Sequence, residues 1–146
     1  MEINIRAYRQ DDQEAIMRIW YEASKVGHPF ISEEALRKDR QEIIDVYIPI
    51  AKQWVAKADG SIGGFIAMID NQIGGLFVDP HSHKRGIGTA LIEHVRPMFP
   101  TLTVCVFKKN PNAIRFYEKS GFRLVEERIS EYHGFLELFM ETKERE

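Results

Sequence analysis

The residue types able to do chemistry gather in two short stretches. In the first, FVDPHSHKRGIGTALIEHV from Phe77 to Val95, a strand-like run turns at Pro80 and sets Lys84 and Arg85 against Gly86-Ile87-Gly88 before a helical pattern begins. A helix that starts just after a glycine-rich turn points unpaired backbone N–H groups and the positive end of its dipole outward. Gly86 and Gly88 have no Cβ to keep an oxyanion from the backbone, Lys84 and Arg85 add positive charge, and Thr89 offers a hydroxyl. The chemistry this pattern supports is the capture of a phosphate. The second stretch opens at Asn110-Pro111, a capping side chain followed by a proline at the first helical position. It carries Tyr117, which by spacing alone is an amphipathic core residue with its hydroxyl at the edge.

Two other phosphate loops fail on inspection. A Walker A loop needs Gly-Lys-Ser/Thr, whereas Gly88 is followed by Thr89 and Ala90. A dinucleotide-binding fingerprint needs a third glycine where Leu91 stands, and a βαβ start that this chain lacks. On its own, a Gly-x-Gly turn shapes a helix start and nothing more.

Stepping outward to the elements that must hold these residues, INIRAY predicts a first strand over Ile3–Tyr8, with Asp11 placed to cap a helix. Ala15, Ile16, Ile19, Trp20 and Ala23 then form one apolar stripe at helical spacing, interrupted by KVGHPF. Ser32 is a second cap, with Glu33 and Glu34 in the first turn, and Leu36, Ile43, Ile44 and Tyr47 continue the face until Pro49 is expected to stop it. From Trp54 the period becomes that of strands: QWVAKA, a tight turn at Asp59-Gly60, SIGGFIAMI, a turn at Asp70-Asn71, and QIGGLFV. Gly74 and Gly75 suit either a bulge or close packing. The helix opened by Gly86, the strand LTVCVF, a helix from Pro111 to Ser120 ended by Gly121, and two strands around FRLVEERI and FLELFME complete the order β, α, α, β, β, β, α, β, α, β, β. This is a mixed α/β (α+β) arrangement of helices on a sheet.

With 146 residues, the chain is one domain's length, 1–146, and can bury a core without disulfides or a metal. Apolar residues make up 44% and charged residues 29%, which excludes a disordered or fibrous chain. A net charge of -2 argues against general nucleic-acid binding, so any anion must be met locally. The single cysteine, Cys105, reads as core filler on a strand and fits a reducing compartment. The N-terminal MEINIRAYRQ has no apolar stretch of signal-peptide length, and no run suits a membrane span, so the expected location is cytoplasmic with no membrane partner.

Taken together, the motifs resemble the GNAT superfamily of acetyl-CoA-dependent N-acetyltransferases. The family's pyrophosphate signature, Gln/Arg-x-x-Gly-x-Gly/Ala, falls on His83-Lys84-Arg85-Gly86-Ile87-Gly88, with His83 departing from the usual glutamine or arginine. A second signature is complete as Asn110, Ala113, Phe116, Tyr117, Gly121 and Phe122. The resemblance implies a central, mostly antiparallel sheet splayed at the cofactor site, with helices on both faces. It implies acetyl-CoA as cofactor and a small-molecule or peptide amine as acceptor, leaves room for a homodimer, and calls for no metal.

Residue by residue, the resemblance gives Leu76, Phe77 and Val78 as backbone partners of the pantetheine arm. It gives the turn from His83 to Thr89 (His83, Lys84, Arg85, Gly86, Ile87, Gly88, Thr89) as the diphosphate cradle, and Asn110, Ala113, Phe116 and Tyr117 as further cofactor contacts. Tyr117 would act as general acid on the departing thiolate: a phenol near pKa 10 is mostly protonated at neutral pH and can donate to a thiolate whose acid has a pKa near 8.5, a transfer feasible without an extreme shift. Some members carry a glutamate base on the strand before the signature, and QIGGLFVD has none, which leaves Glu22, His28, His133 or a water chain. Trp20, His28 and Phe30 would wall the acceptor entrance. Lys108, Lys109 and Arg115 flank the second signature, where they meet either the adenosine 3'-phosphate or solvent. The expected function is acetyl transfer to a primary amine in a ternary complex; the alternative is a non-catalytic acyl-CoA sensing module.

Overall fold

The computed structural model describes residues 2–82, 86–131 and 133–143. Strand β1 (Ile3–Ala7) leads through a 3-10 turn (Gln10–Asp12) into helix α1 (Gln13–Gly27). Asp12, not Asp11, stands at the N-cap position of α1 and makes no side-chain capping bond into it; buried, it accepts from the Arg6 guanidinium at 2.8 Å and from the Arg9 N–H at 2.8 Å, tying β1 to the turn before the helix. Helix α2 (Glu33–Glu42) begins as expected, with Ser32 Oγ accepting from the Ala35 N–H at 3.1 Å.

Pro49 ends this helical run, as expected. The chain passes through a π-helical turn (Ile43–Tyr47) into a last helical turn, α3 (Ile48–Ile50), where the proline sits at the first positions. The helical run ends at Ile50, one residue past the proline, whose missing N–H cannot continue it.

Strands β2 (Lys52–Ala58), β3 (Ser61–Ile69) and β4 (Gln72–Val78) form the expected meander, with Asp59, Gly60 and Asp70 at positive φ in its turns. Helix α4 (Ile87–Val95), strand β5 (Thr103–Phe107), helix α5 (Pro111–Lys119) and strands β6 (Phe122–Ile129) and β7 (Leu136–Thr142) follow. The seven strands stand in the order β1-β2-β3-β4-β5-β7-β6. Every neighbouring pair is antiparallel except β4 and β5, which run parallel and pair only at Gln72 with Thr103 and Ile73 with Val104. Beyond those two positions the strands part, so the sheet is splayed as the resemblance implied.

Alternation along the strands sends side chains to two cores, one on each face. Ala56, Ile66, Ile73, Val104 and Met140 pack beneath α4 and α5 with Ile87, Leu91, Ile92 and Val95. Val55 and Phe65 pack on the other face against Ile16, Met17, Ile19 and Trp20 of α1 and Leu36 of α2. Each large apolar side chain so buried contributes roughly 1.5–3 kcal/mol. Helices therefore cover both faces, and among the described residues no helix is long and apolar enough to cross a membrane.

Cys105 departs from its expected role. It is half-buried on the face away from α4 and α5, with the Arg128 guanidinium 3.1 Å from its Sγ. The basic neighbour comes from β6, two strands away, so nothing near Cys105 in the sequence announced it.

Candidate active site

The site is built where β4 and β5 separate. Gly74 is the extra residue in the β3–β4 ladder: Met68 pairs with Ile73 and Ala67 with Gly75. The paired-glycine stretch of β4 thus forms a bulge, which turns the following Leu76-Phe77-Val78 away from β5. A second paired-glycine stretch forms a bulge in β3, where Gly63 is the extra residue between Ile62 and Gly64 in the β2–β3 ladder. There a Cβ on Gly63 or Gly64 would lie 2.8 Å from Ile87, so the two glycines let the start of α4 rest directly on the sheet.

Helix α4 begins at the mouth of this gap. Gly86 adopts a left-handed conformation with φ of 76°, and among the described residues nothing beyond its chain neighbours lies within 4 Å of the place where its Cβ would stand. Gly88 is buried between β4 and α5, where a Cβ would meet the Phe116 ring at 3.1 Å and Val78 at 3.7 Å. The Ile87 side chain fills the core, leaving its main chain to the cleft, and Thr89 is exposed. His83, Lys84 and Arg85 lie outside the described residues.

Across the gap, Asn110 Oδ1 accepts from the Ala113 N–H at 3.2 Å and starts α5 as expected. Asn110 also faces the end of α1, where a Cβ on Gly27 would stand 3.2 Å from its side-chain nitrogen. Tyr117 is buried between Phe116 and Phe122, both edge-on with centroids 5.2 Å away, and it lines the cleft. Burial pushes its phenol above the ordinary value near 10. The group is therefore a proton holder throughout the neutral range.

One cleft of about 1120 Å³ joins these parts, lined by Leu76, Phe77, Val78, Gly86, Gly88, Asn110, Ala113, Phe116 and Tyr117 at one end and by Trp20, His28, Phe107, Asp39 and His133 at the other. That volume is ample for a nucleotide thioester together with an amine.

At the second end, His28 lies edge-on to Phe107 at 4.9 Å and to Phe30 at 5.8 Å. Burial first, then the neighbouring His133, lowers its pKa from 6.5 to about 4, against a smaller opposing pull from Asp39. His133 Nε2 sits 2.9 Å from Asp39 Oδ2, joining the β6–β7 turn to α2. Of the expected wall, Trp20 and His28 line the cleft, while Phe30 stands behind them, packed edge-on against Phe107 at 5.4 Å and Phe135 at 4.9 Å. Glu22 does not line the cleft; its carboxylate pairs with Arg18 at 2.9 Å. Lys108 likewise pairs with Glu127 at 2.7 Å. Phe107, Phe135 and Asp39 went unnoticed in the sequence because an aromatic in a strand and an acid in a helix look like packing and solvated surface.

Residues 9–143 match the family description "Acetyltransferase (GNAT) domain". The chain belongs to the GNAT acetyltransferases. Among its relatives is the peptidyl-lysine N-acetyltransferase YiaC of Escherichia coli, 35% identical over 123 residues, 84% of each chain. The peptidyl-lysine N-acetyltransferase YjaB of Salmonella typhimurium is 35% identical over 125 residues, covering 85% of this chain and 86% of the relative. The solution structure of apo YjaB from Escherichia coli superposes with a TM-score of 0.85 at 28% identity, over 99% of this chain and 100% of that one. A PaiA N-acetyltransferase from Thermoplasma acidophilum, solved with coenzyme A, shares the fold at a TM-score of 0.79 and 22% identity, over 98% and 99% of the two chains. As a GNAT member this chain is an acyltransferase, and an acyl-CoA is its class of donor.

Proposed function

We propose that the protein transfers the acetyl group of acetyl-CoA directly to the ε-amine of a peptide lysine, both substrates being held together in the one cleft. The observation that carries this reading is that cleft: a strand gap, a helix start without Cβ atoms and a buried phenol open at one end, and an apolar, aromatic lined chamber opens at the other. The lysine acceptor is suggested by relatives that are named peptidyl-lysine N-acetyltransferases.

The residues fit the donor on their own geometry. Where β4 leaves β5, its main-chain groups have no β5 partner and are free to pair with an extended pantetheine as a further strand would. The left-handed Gly86 starts α4 at the mouth of the gap, and the first N–H groups of that helix suit a diphosphate. When bound, acetyl-CoA supplies an activated acyl group as a thioester. A β4 amide can polarise its carbonyl, a kind of contact worth about 2.7–4 kcal/mol of barrier where single donors have been removed.

Tyr117 holds the proton needed by the leaving sulfur. With acetyl-CoA bound, attack of the amine on the carbonyl carbon would break the C–S bond, Tyr117 would give its phenolic proton to the departing sulfur, and the amine's proton would pass to water or a cleft histidine, from which the phenolate is reprotonated. At pH 7 only about one lysine in a few thousand is neutral. The aromatic chamber favours that form by desolvation, the same effect that keeps His28 uncharged there.

The test is release of free thiol from acetyl-CoA in the presence of lysine peptides. Acceptor-dependent release is the expected result. Tight binding of coenzyme A with no release from any peptide or small amine would instead establish the sensing module as the correct reading.

A further inference from the structure

Lys109, in the link between β5 and α5, lines the cleft and turns its ammonium onto two rings, with Nζ 4.9 Å from the Phe135 centroid and 5.5 Å from that of Phe30. The rings are braced: Phe30, Phe107 and Phe135 meet edge-on, and His28 closes the same cluster. Among the described residues no carboxylate is paired with Lys109, and its exposed side chain lays the ammonium over the two ring faces. An ammonium within about 6 Å of a ring centroid is drawn to the ring's negative face. The molecule thus carries an alkylammonium of its own at the acceptor end.

Asp39, Glu42 and Glu137 are the acidic residues among the described lining of the cleft, Asp39 lying 2.9 Å from His133 and Glu137 3.5 Å from Arg128, and Lys109 is the only lysine or arginine among that lining. Without Lys109, the faces of Phe30 and Phe135 behind the cleft wall would lose the cation that covers them.

We propose that the Phe30–Phe135 face is an alkylammonium subsite, filled by Lys109 in the free protein and yielded on binding to a basic residue flanking the target lysine. The inference rests on the acetyl-transfer reading, and it adds the class of acceptor: a dicationic one, such as a lysine beside a second lysine. The reactive amine enters the desolvated chamber by His28 as the neutral base, while the second amine stays charged on the rim rings.

Two measurements decide it. In the first, tetramethylammonium is titrated into wild type and Lys109→Ala while the aromatic NMR signals of Phe30 and Phe135 are followed. Both rings should respond, with a half-saturating concentration about two- to fivefold lower in Lys109→Ala. No response in Lys109→Ala, where the rings are uncovered, would overturn the subsite without any turnover being needed. In the second, two peptides that differ only in Lys or Ala beside the target lysine are compared by thiol release. The basic peptide should have the higher kcat/KM by about two- to fivefold, more in Lys109→Ala and less in Phe30→Leu. Equal turnover of both peptides would sink this inference and leave acetyl transfer standing; no turnover of either would sink acetyl transfer, with the titration still reading the rings.

Discussion

Burial of Tyr117 keeps the proton on its phenol and also makes that phenol a weaker acid, so its proposed donation is driven by the thiolate that forms beside it. Desolvation holds the phenol protonated well above neutrality, so its proton is present whenever a thiolate forms beside it. Tyr117→Phe keeps the ring packing against Phe116 and Phe122 and removes only the hydroxyl, so kcat should fall about 10²–10⁴-fold while coenzyme A affinity, read by calorimetry, stays near wild type. The pH profile follows from the same burial. The rate at low acceptor should climb tenfold per unit from about pH 7 toward the lysine pKa near 10.4, with no falling limb from Tyr117 below about 10. A descending limb centred near 8 would assign the acid to another group.

His28 makes a prediction of the opposite sign, concerning stability. Its pKa is lowered in the folded state, so between pH 6.5 and about 4 the unfolded chain binds a proton that the native chain does not. Stability contributed by the neutral ring is complete above 6.5 and is lost as pH falls toward 4, by at most about 3 kcal/mol. Urea unfolding across this window should show that slope in wild type and a flatter one in His28→Phe. At this scale the sequence was partly legible. Tyr117 and Asn110 stood out by motif, whereas the Arg128 partner of Cys105 and the Asp39 partner of His133 are brought in by strand order and by the fold of α2, which no local pattern encodes.

At the scale of elements, the start of α4 controls both packing and binding. Gly64→Ala would place a Cβ 2.8 Å from the Ile87 side chain and 3.0 Å from the Phe77 carbonyl oxygen, forcing α4 off the sheet. Overpacking of this kind costs typically 1–3 kcal/mol, measurable by denaturant melts. Gly86→Ala should behave differently. Among the described residues nothing beyond its chain neighbours stands within 4 Å of its Cβ, yet the left-handed backbone at φ of 76° costs an L-residue about 1–2 kcal/mol, so coenzyme A affinity should drop with little change in the rest of the fold. Element types and order were readable because period-2 and period-3.6 runs alternate cleanly here, and the turns at Asp59-Gly60 and Asp70-Asn71 carry residues that tolerate positive φ. The π turn that carries the second helix to Pro49 was not, since side-chain pattern does not reveal backbone geometry of that kind.

For the whole molecule, the decisive feature is a sheet that stops being a sheet. One bulge and a two-residue parallel pairing divide β1–β4 from β5–β7, and the divide itself becomes the cleft. The sequence could hint at the bulge through Gly74 and Gly75, but the width of the gap depends on strands far apart in the chain. A donor bound across that divide joins the two halves, so coenzyme A at a hundredfold excess over its Kd should stabilise the protein by about 2.7 kcal/mol, read as a concentration-dependent rise in Tm.

The account depends most on acetyl passing from sulfur to a lysine nitrogen within this cleft, and the mass of a peptide reports that directly. A lysine peptide incubated with acetyl-CoA and the wild-type protein should gain one acetyl group on its ε-amine, in step with the coenzyme A released, and should gain far less with Tyr117→Phe. A peptide left unmodified by protein that demonstrably binds acetyl-CoA, or one modified equally by wild type and Tyr117→Phe, would contradict it.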